Sequence, residues 1–316
     1  MNYTTLNFPG TIVPGSSNLL TGIRRKKHDL YITGFYVPAG GINTVSYLYK
    51  GSLENITNTK SGGYYMLNYP GTTTESTNLY GPTVLKHGNV RIVGNYTSTT
   101  SANLFGCMYQ GNLSGDGKWK TLTPTSDTIN TICHSTMHNL VVGNYDTKLI
   151  SGKAFIFDIK TKKYIEIVHP GSITTTAYGV WYNGENNYTI CGGYSPIIGT
   201  QTDIGYIVNY NSVTKKFKHW KDYYYNNDSI NASVTHFDGI TKTKHGYNLT
   251  GVAIYNTAEV GFFAHVSDKC HDATWTQVAY PGAITTTGNS VVDDIVIGVY
   301  TNANDMSVNG YIVSEI

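Results

Sequence analysis

One short pattern constrains this chain more than any other feature. Two or three β-forming residues are followed by glycine, one further residue and, usually, tyrosine. It reads Tyr31-Ile-Thr-Gly34-Phe-Tyr36, Ile92-Val-Gly94-Asn-Tyr96, Val141-Val-Gly143-Asn-Tyr145, Ile190-Cys-Gly192-Gly-Tyr194 and Val296-Ile-Gly298-Val-Tyr300, with Leu249-Thr-Gly251-Val-Ala253 as a weaker copy. The glycines are 60, 49, 49, 59 and 47 residues apart, and the interval from Gly298 through the C-terminus to Gly34 is 52. A fixed period of this length is the mark of a repeat architecture, in which no unit buries its faces alone.

Each copy carries further strand signals. A small residue and an apolar run follow, as in Gly205-Tyr-Ile-Val208, Gly261-Phe-Phe-Ala264 and Gly310-Tyr-Ile-Val313. An aromatic-led strand then ends in Pro-Gly, as in Tyr65 to Gly71, Tyr164 to Gly171 and Trp275 to Gly282. A Thr-rich loop leads to a short strand of small residues. Four strands per unit at this period predict an all-β fold, a six-bladed β-propeller with four antiparallel strands per blade. The approximate blades are 11–70, 71–124, 125–170, 171–224, 225–281 and 282–316 with 1–10, a single domain. The last copy lacks a fourth strand, and the N-terminus begins with a stray one, Tyr3 to Gly10. The N-terminal strand is therefore expected to complete the last blade and close the ring.

These motifs resemble the HAF-type extracellular repeat family. Its units run aromatic–apolar–Pro-Gly, Thr, Tyr-Gly, Ile-Val-Gly-x-Tyr, Gly-Phe. Tyr164 to Val208 is the nearest copy, and residues 217–273 depart most. The resemblance implies a propeller and, because its motifs are structural, little about activity. The bias toward Asn, Tyr and Ile is similar to that of proteins from large DNA viruses.

Composition agrees with the fold and excludes several classes. There are 27 Tyr and 34 Gly, and only 13% of residues are charged. Aromatic residues suit pleated, half-buried surfaces, and glycine suits turns. No apolar stretch reaches the roughly 18 residues of a membrane span. The first residues carry no secretory signal, so cytoplasmic synthesis is expected, with a virion setting in view. Cys107, Cys133, Cys191 and Cys270 are scattered and form no Cys-x-x-Cys pair, which predicts free thiols.

The chemistry of an enzyme is not visible. The expected channel strands, Leu19–Ile23, Leu79–Val84, Thr131–Thr136, Ala177–Tyr182, Ala232–Phe237 and Gly288–Val292, contain no Asp, Glu, Lys or Arg. A glycosidase needs two carboxylates about 5–10 Å apart. Asp293 and Asp294 are adjacent in a turn. His134 and His138 have a ligand spacing that works on a helix, not on a strand. His236 reads as a polar channel residue. Ser114 to Trp119 is similar to a sialidase Asp-box, itself a structural turn. Two loop carboxylates such as Asp203 and Asp228, meeting over the channel, would reverse this conclusion. No catalytic residue, metal ligand or cofactor is expected.

Two faces differ in charge. The basic turns hold Arg24, Arg25, Lys26, Lys27, Lys86, Lys160, Lys162, Lys163, Lys215, Lys216, Lys242 and Lys244. They form a candidate anion-binding face, although the net charge is only +2. The other face is rich in hydroxyls. Thr74, Thr99, Thr175 and Thr286, with Trp181 and Tyr182, are its candidate ligand residues. The first functional expectation is a non-enzymatic protein-interaction or structural module, such as a virion or surface component. A carbohydrate-binding propeller is the second, and a glycan-active hydrolase the last. The partner expected is a protein or a glycan, with an anionic partner a weaker alternative.

Overall fold

The computed structural model describes residues 1–9, 11, 17–57, 63–267 and 272–316. Among these residues the chain is all-β, interrupted by the short helix Leu53–Thr57 and two 3-10 turns. No helix among them is long and apolar enough to cross a membrane.

The strands form antiparallel meanders in chain order. The first runs Ser17–Lys26, Asp29–Val37, Val45–Gly51, Gly63–Met66; the second Thr74–Val84, Val90–Ser98, Ser101–Gly111, Lys118–Leu122. The third is Thr128–Met137, Leu140–Thr147, Lys153–Asp158, Lys163–Ile167. The fourth is Gly179–Gly184, Asn187–Pro196, Ile204–Asn211, Lys216–Tyr223, with Ser172–Thr175 also paired to its second strand. The fifth is Ala232–Thr243, Gly246–Tyr255, Ala258–Ser267, Ala273–Val278. Near the C-terminus Ser290–Val292, Ile295–Asn302 and Val308–Ser314 pair in order, and Asn2–Thr5 joins their outer edge. In that last ladder Tyr3 faces Val313 and Thr5 faces Tyr311.

Burial explains the recurring pattern. Second strands such as Val90–Ser98 and Asn187–Pro196 are buried along nearly their whole length, because both faces are covered by neighbouring sheets. Outer strands such as Lys163–Ile167 keep exposed charged positions. Cys107, Cys133 and Cys191 are buried free thiols, whereas Cys270 lies outside the described residues.

The Pro-Gly motif is a latch between consecutive meanders. The aromatic residue before proline lies flat on the tyrosine of the next Gly-x-Tyr copy. Tyr69 stacks on Tyr96 at 3.8 Å, His169 on Tyr194 at 3.6 Å, Tyr280 on Tyr300 at 3.7 Å, and Phe8 on Tyr36 at 4.7 Å. The backbone N–H of that aromatic donates to a side chain of the following Thr-rich segment. Tyr69 bonds Thr77, His169 bonds Thr175, Tyr280 bonds Thr286 and Phe8 bonds Asn18, at 3.0–3.1 Å. Thr175 and Thr286 are thus buried at 4% and 6% exposure and occupied in holding the fold. Their expected role as ligand residues is corrected: the hydroxyl satisfies a backbone donor that would otherwise be orphaned. Tyr280→Ala should cost about 2 kcal/mol and Thr286→Val about 1 kcal/mol in denaturant unfolding. An unchanged midpoint in both variants would show that the latch carries no stability.

Candidate active site

Each meander contributes one residue to a common cavity, and in every case a small residue follows it. The pairs are Thr21-Gly22, Tyr80-Gly81, His134-Ser135, Tyr178-Gly179, Asp238-Gly239 and Asn289-Ser290. The first members of all these pairs, with Leu19 and Phe35, line a cavity of about 190 Å³. The small residues exist because the innermost strands nearly touch. A Cβ on Gly81 would lie 2.8 Å from the His134 carbonyl, and one on Gly239 would lie 2.7 Å from the Ser290 Cα. Residues alternate in direction along a strand, so the residue before each close contact faces the cavity.

Asp238 is the cavity's acid, and it does not stand alone. Its Oδ1 is 2.9 Å from His236 Nδ1. The other ring nitrogen, Nε2, is 2.9 Å from Thr176 Oγ1 and 3.9 Å from Asp203 Oδ2. The Thr176 hydroxyl donates to the Gly193 carbonyl at 2.9 Å. Its oxygen can then accept, so both imidazole nitrogens can act as donors, the arrangement that suits an imidazolium. Burial opposes that charge, but Asp238 and then Asp203 outweigh it and raise the His236 pKa to about 8. Burial raises Asp203 to about 6 against the pull of His236, and burial also raises Asp238.

Asp203 reaches this place through a local exception in the repeat. It precedes the strand Ile204–Asn211, and its carbonyl accepts from Thr235 N–H at 3.0 Å. Its carboxylate occupies the space where a side chain on Gly193 would be. The other Gly-x-Tyr copies carry Phe35, Asn95, Asn144 or Val299 at that position. Tyr178 meets His236 edge-on at 4.4 Å and stacks on His134 at 3.8 Å. Burial, together with the His236 charge, pushes His134 down to about 3, so it is a neutral imidazole.

Several expectations are corrected here. The inner strand of the fifth meander runs to Thr243, not Phe237, and carries Asp238 inside it. His236 is held by carboxylates rather than standing as a lone polar residue. Asp203 belongs to the cluster, but Asp228 does not. Asp228 is half-buried and caps its own turn through Ile230 N–H, Asn231 N–H and the Asn231 side chain. His138 lies apart from His134, stacked on Tyr182 at 4.1 Å. Among the described residues no group of three or more His, Cys, Asp or Glu is arranged to hold a metal ion.

The other candidates scatter. Arg24 is not on the basic face: it is 7% exposed and donates to Ser135 Oγ at 3.2 Å and to the Val180 carbonyl at 3.3 Å. Burial lowers its pKa to about 10. Its guanidinium lies 5.8 Å from the Trp181 ring, which places Trp181 below the cavity. Trp181 and Tyr182 are on the strand that leads to the turn at Glu185, away from the Thr-rich loops. Thr74 is half-buried and Thr99 exposed. Arg25 is paired with Asp293 at 2.6 Å and Lys215 with Asp158 at 2.9 Å. Lys26 donates to the Leu85 carbonyl and Lys242 to Asn183 Oδ1, each on a neighbouring turn. Lys27, Lys86, Lys160, Lys162, Lys163, Lys216 and Lys244 are exposed.

No family model matches the chain, and neither does any curated protein. Among solved structures it is similar to an α-L-arabinanase of Penicillium chrysogenum complexed with arabinobiose. Identity is 12%, the match covers 99% of this chain and 98% of that one, and the TM-score is 0.57. It is also similar to a protein described as a BT0996 RGII complex, at 11% identity, with 99% and 92% covered and a TM-score of 0.51. At such identities the likeness is one of fold, and it supports the β-propeller class. It also overturns the expectation of a non-enzymatic module. The α-L-arabinanase shares this fold over 99% of the chain, and the premise of an acid-free channel fails at Asp238.

Proposed function

We propose that this chain is a glycan-active hydrolase on a closed six-bladed propeller, with Asp203 and Asp238 as its acid–base pair. The observation that carries the reading is Asp238, which lines a cavity to which every repeat contributes a residue, with His236 between it and Asp203. The ring is supported by inner-strand contacts that continue past the end of the chain. Asn289 Nδ2 donates to the Leu20 carbonyl at 2.7 Å, and Ile23 N–H donates to Ser290 Oγ at 3.4 Å. The ladder of Asn2–Thr5 with the C-terminal strand supports it as well.

The chemistry follows from the environments. The carboxylates stand 2.9 Å and 3.9 Å from opposite nitrogens of one ring, so their separation is at most about 9 Å, no wider than a glycosidase pair. Asp203, raised to about 6, is the general acid that protonates the leaving oxygen. Asp238, 2.9 Å from His236 Nδ1, is the base toward the attacking water. Tyr178 and Phe35 offer apolar surface to a sugar ring. A protonated Asp203 is required, so activity should fall as pH rises through about 6.

Stability should drift the same way. His236 is raised above its unfolded value of about 6.5, so its contribution is full below that pH and is lost as pH rises through about 8. Asp203 is also raised, so ionising it in the folded state costs stability as pH climbs through about 6. The test is reducing-sugar release from arabinan and a panel of other polysaccharides, with Asp203→Asn and Asp238→Asn beside the unaltered protein. Release that both variants abolish supports the assignment. Release that neither variant changes, or none from any glycan, would sink it.

A further inference from the structure

We infer that the gap between the fourth and fifth meanders is a second binding groove, specific for a carboxylate-bearing oligosaccharide and separate from the Asp203–Asp238 cavity. The groove measures about 470 Å³ and is lined by amides, tyrosines, lysines and His219, with no carboxylate among the described residues that line it. A second lobe of about 290 Å³ adjoins it through Asn209, His219 and Tyr247 and adds Lys221. These sizes are those of small-molecule sites.

The repeat shows what has changed here. In the third meander the face turned to its neighbour carries Ile156, Ile165 and Ile167, which pack against Tyr206 and Tyr210. Asp158, at the edge of that face, takes Lys215 from the next meander at 2.9 Å and shuts the gap. In the fourth meander the corresponding face consists of Ile207, Asn209 and Asn211, paired with Lys221, Lys218 and Lys216. Alternate residues of a strand share a face, so the lysines all stand toward the fifth meander. A β-bulge brings Lys218 and Lys221 to the same side, because the register slips between Ile207 and Asn209. His219 sits in the bulge with φ of 58°, a left-handed conformation that is strained for a non-glycine residue. Of the apolar seal, Ile207 and Tyr223 remain buried, but the place of Ile165 is taken by Lys221, and beyond it stand Lys218 and Lys216 with Asn209 and Asn211.

The groove's polar groups are ordered in advance. Buried Thr189 donates to Asn209 Oδ1 at 3.0 Å and accepts from Asn183 Nδ2 at 2.9 Å. Tyr247 donates to Asn183 Oδ1 at 2.9 Å, and Asn211 donates to Asn187 Oδ1 at 2.8 Å. Fixed amides and phenols match arrays of sugar hydroxyls, and the lysines match carboxylates along an acidic chain. Its tyrosines are at least half-buried. They leave no exposed aromatic platform of the kind a nucleic acid needs.

The test is calorimetric titration of an oligogalacturonate of about four residues into Asp238→Asn protein. That background removes the proposed cleavage, so the outcome does not depend on the hydrolase reading. Binding should weaken at least about tenfold in a Lys218→Glu/Lys221→Glu variant, and also in Asn209→Asp, a near-isosteric change. It should weaken with added salt, and a neutral maltotetraose should bind at least about tenfold less tightly. The inference fails if oligogalacturonate does not bind, or if the neutral sugar binds equally well. It also fails if charge reversal has no effect, or if a single-stranded oligonucleotide of equal charge binds more tightly.

Discussion

Asp238→Asn should lower turnover on a cleaved glycan by about two to four orders of magnitude while leaving glycan binding within a few fold. That range is what a positioned general acid or base contributes. Asparagine keeps the shape of the side chain and can still accept from His236 Nδ1–H. It removes the charge that does most to hold His236 protonated. The variant should therefore fold, and its His236 should titrate lower than about 8, which NMR of the imidazole reads directly. Asp203→Asn should differ in kind. Its loss should be largest with poor leaving groups and should flatten the decline in rate above pH 6, because the group that titrates there is gone. Activity retained at half or more in Asp238→Asn would remove this carboxylate from the mechanism.

Deleting residues 1–8 should lower the melting temperature by about 10 °C or more. The segment does far more than extend one sheet. Its strand covers Tyr311 and Val313, which are fully buried. Leu6 is 7% exposed, and Phe8 stacks on Tyr36 and meets Tyr64 edge-on at 5.4 Å. Burying two such side chains contributes about 4 kcal/mol. Asn7 donates to Asn309 Oδ1 at 2.7 Å and accepts from Gly310 N–H at 2.9 Å, which adds about 2 kcal/mol. For a chain of this size each kcal/mol moves the midpoint by about 2 °C. A melting temperature within about 2 °C of the full chain would mean that the termini do not clasp one another. It would count equally against the closed ring.

Much of the fold was legible because it rests on local chemistry repeated many times. Gly-x-Tyr, Pro-Gly and the Thr-rich segment recur because each forms part of one latch. The aromatic ring, the tyrosine it covers and the hydroxyl that takes its N–H must change together or not at all. The same pattern misleads at Thr175 and Thr286. A threonine in a loop reads as free to meet a ligand, yet its hydroxyl is already engaged by the backbone.

The site was harder to read, for a physical reason. Asp238 lies one residue beyond the expected end of its strand, and a strand's end depends on pairing that only the folded sheet supplies. A signal existed: Asp238-Gly239 occupies the position of Tyr80-Gly81 and Tyr178-Gly179, and Gly193 alone replaces a larger residue in its motif. Arg24 shows the converse error. A charged residue beside a turn reads as surface, yet the chain folds it inward over Trp181.

The order of strands, the all-β class and the partnership of the two termini were determined by the sequence itself, because each follows from patterns a few residues long. Which side chains meet was decided only in three dimensions. Asp203, His236 and Asp238 come from two different meanders, and no local rule sets the distance between them. Burial then gives each acid a proton affinity that its place in the chain does not reveal. Lys218 and Asn209 likewise became a groove only when their sheet turned a polar face toward its neighbour.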